Sequence, residues 1–190
     1  QKPLVIGYIS RMYEEHGFGL LIDAFILLKK QAGFEKVLLK LSGGYTADDK
    51  KFLKQQMKKL KKAGILQDVE IIDDYQPERR YLFFNQLSIL TVPVLKGEAF
   101  GTYQLESLAC GVPLVQPALG AFPEIIEKTQ GGVTYYPNTA EAMVEKWKEI
   151  LSSPQKIAEM SQTGSQAVRE QYAINAVSLQ VLKVYESLVS

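Results

Sequence analysis

The chain has 190 residues, long enough for one well-buried domain or two small ones, of which one is the simpler reading. Hydrophobic residues make up 46% and charged residues 23%, values of an ordinary soluble fold that exclude disordered and fibrous classes. With 22 Lys and Arg against 21 Asp and Glu the net charge is +1, so no global field draws nucleic acid or a membrane surface, and any bound anion must be held locally.

Leu4 to Ile9 is an apolar run that leads through a polar loop with Gly17 and Gly19 into a helical pattern at Leu20, Leu21, Ala24, Phe25 and Leu28. Val37 to Leu41 predicts a second strand ending in Ser42-Gly43-Gly44, and Asp48 to Lys62 a helix with Leu53, Met57 and Leu60 on one face. Val69 to Ile72 reads as a third strand, Pro77 to Phe84 as a helix begun by proline, and Leu87 to Val94 as a fourth strand. Thr102 to Ala109 is helical up to Gly111, Pro113 to Val115 a short strand, Pro123 to Glu127 one helical turn, and Gly132 to Tyr136 a last strand. After Asn138 the pattern is helical, broken near Pro154 and Tyr172.

Strands without polar alternation, separated by helices, predict an α/β, Rossmann-like parallel sheet with helices on both faces, as one domain over residues 1–190. Ligands of such sheets sit at the carboxyl ends of the strands. The loops at 10–19, 42–46, 73–76 and 95–102 are therefore expected to line one site.

The richest stretch runs from Gly97 to Pro113. Gly101 allows close backbone approach, and the free N–H groups that open the following helix suit a phosphate. Glu98 and Glu106 are two acceptors flanking that anion site, which matches a ligand with hydroxyls on both sides of a diphosphate. Spacing alone leaves open that both carboxylates are merely solvated and that the glycines only shape a turn.

The order Glu98-Ala99-Phe100-Gly101 through Glu106-Ser107-Leu108-Ala109-Cys110-Gly111-Val112-Pro113 resembles the E-G-F-G-x-x-x-x-E-A-x-A-x-G-x-P motif of retaining GT-B glycosyltransferases of family 4. Ala99 stands where Gly is usual and Ser107 where Ala is usual. The resemblance extends over nearly the whole chain. Ser10-Arg11 with Gly17 is similar to G-R-L…K-G, Ser42-Gly43-Gly44 to the glycine turn after the second strand, and Gly120 to Ile126 to G-G-x-P-E-I-I, with Gly132 to Pro137 following in order.

The resemblance implies the C-terminal, donor-binding half of a GT-B fold, which takes a nucleoside-diphosphate sugar, with UDP or GDP as the nucleotide, and transfers the sugar with retention as a hexosyltransferase. It implies that Glu106 accepts from ribose hydroxyls, that Glu98 contacts the transferred sugar, and that Arg11 stabilises the diphosphate leaving group. Gly44, Phe100, Gly101, Thr102, Tyr103 and Leu105 complete the expected donor site. No cofactor and no metal are expected. The acceptor would be bound by an N-terminal half absent from this chain, which opens Gln-Lys-Pro without an initiator methionine and reads as a fragment.

Two departures stand out. His16 occupies the place of the usual lysine after the arginine, so leaving-group stabilisation is expected to be weaker or pH-dependent, with His16 gaining a proton as donor binds. Asp73-Asp74 stands where a glycine is common, near the expected base pocket. A non-catalytic nucleotide-sugar-binding module is the alternative that the missing lysine keeps open, and a GT-B-like epimerase fits the glutamate spacing less well.

A lone cysteine, Cys110, excludes an intrachain disulfide, and with the single histidine it leaves no Cys/His metal cluster. A reducing cytosol fits this composition. No apolar run reaches the roughly 18 to 20 residues that span a bilayer. Peripheral membrane association is compatible with the longer protein, but the seven lysines from Lys50 to Lys62 read as a solvated helix face. Cys110 and Trp147 read as packing residues.

Overall fold

The run Val-Ile-Gly-Tyr-Ile has no polar side to show to water, so a strand made of it must be covered on both faces. The computed structural model describes residues 3–72 and 79–189, and in it this strand is fully buried in the middle of one sheet. The strands are β1 (Val5–Ile9), β2 (Leu38–Ser42), β3 (Val69–Ile72), β4 (Ile89–Leu90), β5 (Leu114–Pro117) and β6 (Gly132–Tyr135). They lie in the order β3-β2-β1-β4-β5-β6, and every neighbouring pair is parallel. This is the expected α/β, Rossmann-like fold.

The helices among the described residues are α1 (Phe18–Leu28), α2 (Lys50–Lys62), α3 (Arg80–Phe84), α4 (Thr102–Ala109), α5 (Phe122–Thr129), α6 (Ala140–Leu151), α7 (Pro154–Gln171) and α8 (Ile174–Val189). From β1 the strand order runs outward to β3 on one side and from β4 to β6 on the other. Right-handed crossovers in opposite directions put the two sets of helices on opposite faces. Accordingly α1 packs with α2 and α6, while α4 and α5 pack with α7. Trp147 of α6 is fully buried and donates its indole N–H to Thr91 Oγ1 at 2.8 Å, which ties the helix layer to the centre of the sheet.

Some expected boundaries move. The fourth strand is only Ile89–Leu90 rather than Leu87 to Val94. Past Leu90 the ladder is interrupted, because the Val92 N–H is taken by the Gln116 side chain at 2.8 Å and Pro93 has no N–H to give. The helix expected as one turn from Pro123 to Glu127 extends over Phe122–Thr129, since Phe122, Ile125, Ile126 and Thr129 form a buried stripe. Helix α3 begins at Arg80, and the expected proline start at Pro77, with Asp73-Asp74 and the rest of the 73–76 loop, lies outside the described residues. No described helix is long and apolar enough to cross a membrane. Helix α8 leaves Ile174, Val177, Val181, Val184 and Leu188, a stripe at three- and four-residue spacing, exposed.

Candidate functional site

The strand order reverses direction between β1 and β4, and the crevice beyond the carboxyl ends of two such strands is where doubly wound sheets hold ligands. The loop after β1 carries Arg11 and His16, and the loop after β4 carries Glu98 and leads into α4. Topology thus brings Arg11, His16 and Glu98 to one place. Gly17, with φ 72°, lets the two loops close on each other: a Cβ there would stand 1.8 Å from the Pro93 carbonyl oxygen. The Leu95 N–H donates to the Glu15 carbonyl at 3.0 Å and Lys96 pairs with Glu15 at 3.0 Å, which fastens the contact.

Helix α4 starts at Gly101, whose φ of 69° and ψ of 74° belong to the left-handed region. No side chain caps this end. The amides of Thr102 and Tyr103 open the helix, and Gln104 turns its own N–H back to the Gly101 carbonyl at 2.9 Å. Partial positive charge therefore collects at the mouth of the crevice. Phe100 is exposed beside it, whereas Leu105 is only half-exposed and packs toward the core.

Glu98 folds toward this helix end. Its carboxylate accepts from the Ala99 N–H at 3.2 Å and from the Tyr103 hydroxyl at 3.3 Å. Burial, reinforced by the Glu98 charge, pushes the Tyr103 phenol well above its ordinary pKa, so it remains a neutral donor. Gly120 packs against the Glu98 backbone, and the Ala121 N–H donates to the Glu98 carbonyl at 2.9 Å. The Gly120 segment, part of the family resemblance, thus supports the Glu98 loop.

Glu106 lies farther along α4, where its Oε1 accepts from Arg80 Nη1 of α3 at 2.9 Å. Its Oε2 is buried and has no hydrogen-bond partner among the described residues. A carboxylate oxygen in that condition is an acceptor in want of a donor. Next to α3, Ile9, Ser42, Ile72, Arg80 and Phe83 bound a cavity of about 200 Å³ at the carboxyl ends of β1 to β3. Larger surface hollows, such as one of about 460 Å³ between α1 and α2, involve none of these groups.

Arg11 does not stand free. Asp49, at the start of α2, takes its Nε at 2.8 Å and its Nη2 at 3.0 Å, and Thr46 Oγ1 takes Nη2 at 2.9 Å. The guanidinium also lies over the Tyr13 ring, 4.5 Å from its centroid. The guanidinium, with help from the Thr46 N–H, holds the Asp49 carboxyl well below the usual carboxylate range. Gly44 is expected at the site and reaches it through its carbonyl, which accepts the Met12 N–H at 2.9 Å and so joins the loop after β2 to the loop after β1.

His16 is half-buried, its Nδ1 2.5 Å from Ser10 Oγ and its ring edge-on to Tyr13. Nε2 is the ring nitrogen left for a ligand. Burial lowers the His16 pKa, Arg11 lowers it further, and Glu98 and Glu15 oppose them. Protonation is therefore disfavoured in the free domain.

Of the partners, Ser10 and Thr46 fall in the expected loops 10–19 and 42–46 without an assigned role, whereas Asp49 and Arg80 lie outside the expected site. One signal pointed to Asp49 with Thr46: Thr46-x-x-Asp49 has the spacing of a local side-chain-to-backbone box, and Asp49 Oδ2 does accept the Thr46 N–H at 2.7 Å. Cys110 is half-buried, and burial raises its thiol pKa, as suits a packing residue.

A family model described as glycosyl transferases group 1 matches residues 1–167. The lipopolysaccharide core biosynthesis mannosyltransferase LpsB of Rhizobium meliloti is 24% identical over 189 residues, covering 97% of this chain and 52% of that protein. The chain thus spans about half the length of this curated relative. The crystal structure of the C-terminal domain of a glycosyl transferase group 1 family protein, LpcC, from Francisella tularensis aligns with a TM-score of 0.80 at 24% identity, over 90% of this chain and 87% of that one. Anabaena Alr3699/HepE in complex with UDP aligns with a TM-score of 0.83 at 19% identity, over 98% of this chain and 49% of that one. At these identities the two solved structures show the fold.

Proposed function

The chain belongs to the glycosyl transferases group 1 family, and we propose that it is the donor-binding half of a retaining, family 4-type glycosyltransferase that takes a nucleoside-diphosphate sugar. The single observation that carries this reading is the arrangement at the switch point. An uncapped helix N-terminus has the Glu98 carboxylate folded against its first turn, and Glu106, one turn inside the same helix, has a buried oxygen with no donor among the described residues.

In this reading the diphosphate meets the N–H groups of Thr102 and Tyr103 and the Arg11 guanidinium. Glu106 accepts from the ribose hydroxyls, and Glu98, steadied by Tyr103, accepts from the transferred sugar beside Phe100 and Gly101. Negative charge grows on the leaving diphosphate as the glycosidic bond breaks, and preorganised donors placed there lower the barrier. No step is routed through a metal or a cofactor. Capture of UDP by the Anabaena neighbour supports the substrate class, and UDP and GDP are the nucleotides to test first. The acceptor belongs to an N-terminal half, in a cytoplasmic protein with peripheral membrane contact left to that longer chain.

A thermal-shift series of nucleosides, nucleoside diphosphates and nucleotide sugars tests the reading, because a ligand of the native state alone raises the melting midpoint. Stabilisation by diphosphates or their sugars, and not by free sugars, is expected. No shift with any nucleotide contradicts it. The 190-residue chain by itself is expected to transfer no sugar, because one wall of the reacting cleft is missing. Turnover at the rate of a full-length enzyme would contradict that part.

The non-catalytic alternative is favoured by two observations: His16 replaces a permanent cation, and Arg11 is already paired with Asp49. Sugar transfer by the longer protein separates the two readings.

A further inference from the structure

Arginine has five N–H donors in a rigid plane. In this chain three of Arg11's are engaged: Nε by Asp49 Oδ2 at 2.8 Å, and Nη2 by Asp49 Oδ1 at 3.0 Å and by Thr46 Oγ1 at 2.9 Å. Nη1 has no hydrogen-bond partner among the described residues. The acceptor is itself fixed, since Asp49 is only 6% exposed and its Oδ2 also takes the Thr46 N–H at 2.7 Å and the Thr46 hydroxyl at 2.8 Å. Tyr13 supports the face of the guanidinium. Edge and face are both determined, although the Arg11 side chain is 42% exposed.

Resting on the donor-site reading, we propose that Asp49, with Thr46, is the positioning residue for Arg11, fixing the guanidinium so that its Nη1 end is the one that meets the diphosphate. A long side chain otherwise loses rotamer freedom when it engages an anion, and a guanidinium already locked in place does not. The Asp49 charge works against the anion, but it sits on the Nε–Nη2 edge, away from Nη1, and its charge is already met by the guanidinium it grips. The clamp also joins the loop after β1 to the start of α2, across 38 residues of sequence. Phosphate recognition thereby depends on a carboxylate that does not touch the ligand.

Calorimetric titration of the chain with UDP and uridine, and with GDP and guanosine, gives the quantity that matters: the ratio of diphosphate to nucleoside affinity. Arg11→Ala is expected to lower that ratio about ten- to hundredfold, as loss of a charged hydrogen bond does. Asp49→Ala is expected to lower it by a part of that factor, Asp49→Asn by less, and Asp49→Ala in the Arg11→Ala background by nothing further. Melting midpoints check folding, and Thr46→Val, which removes one hold on Nη2, stands in if Asp49→Ala does not fold, with a smaller drop expected. An equal effect of Asp49→Ala with and without Arg11, or a rise in the ratio, overturns the positioning role and leaves the donor site intact. An unchanged ratio in Arg11→Ala, or no nucleotide binding at all, overturns the donor-site reading of Arg11 and the inference with it.

Discussion

The loop after β1 and the loop after β4 face each other across one crevice, yet they are held by different means. In the loop after β4 the Glu98 carboxylate is held by its own neighbours in sequence, Tyr103 and the Ala99 amide, and Gly101 sets the start of α4, while Gly120 and Ala121 support only the Glu98 backbone. The loop after β1 depends on remote residues, with Asp49 and Thr46 gripping Arg11 and Pro93 and Leu95 pressed against residues 15 to 17. A site whose carboxylate is held locally on one wall and whose guanidinium is held by remote residues on the other should respond differently to damage on each side.

Gly17→Ala breaks the remotely held wall most severely. A methyl group would meet the Pro93 carbonyl and would also bear the cost of a left-handed backbone, so a loss of about 3 kcal/mol in urea unfolding is expected. A change within about 0.5 kcal/mol, the ordinary range of surface substitutions, would mean that the two loops are not locked together. Gly101→Ala tests the local wall. The new Cβ would lie 2.9 Å from Glu98 Cγ, so stability should fall by about 1 to 2 kcal/mol, and affinity for nucleotide sugars should fall more than affinity for free diphosphates. Equal losses for both ligands would show that Glu98 is not displaced.

Gly44→Ala separates conformation from crowding. The position has φ 73°, and an added Cβ would meet nothing within 4 Å, so only the backbone penalty of about 1 kcal/mol applies. A loss as large as that of Gly17→Ala would reveal a contact through the Met12–Gly44 link.

The smallest expected effect is on pH dependence. His16 is surrounded by Ser10, Tyr13, Arg11, Glu15 and Glu98, and burial keeps its pKa below the ordinary 6.5 in the free domain. A bound diphosphate favours the imidazolium, so binding takes up a proton and affinity for a nucleotide sugar rises as pH falls. The lowered free-state value sets the lower end of that rise, so affinity is expected to go on increasing below about pH 6.5, while the raised donor-bound value sets its upper end. Dissociation constants across pH should be flat for His16→Ala, and flat and lower for His16→Lys. A slope that persists in both variants assigns the titration elsewhere.

The local wall was legible in the sequence because it is contiguous. Residues 97 to 113 carry the glycine, both glutamates and the helix in one stretch, and Thr102–Ala109 matches the expected helix at both ends. The sheet was legible from its unbroken apolar runs. The short β4 was not, because Gln116, 24 residues away, intercepts the ladder through its side chain. The same holds for Asp49: it falls at the start of the expected helix Asp48 to Lys62, and only the fold brings it to Arg11. Arg80 reaches Glu106 from another helix, so no local pattern announces that pair.

The division of labour between the two glutamates is the centre of the account, and calorimetry on Glu98→Ala and Glu106→Ala tests it directly. Each variant is titrated with UDP and UDP-glucose, or with GDP and GDP-mannose where guanosine is the base. Glu106→Ala should weaken the diphosphate and its sugar alike, by about ten- to hundredfold, while Glu98→Ala should weaken only the nucleotide sugar. Equal effects of both substitutions on the free diphosphate would contradict it.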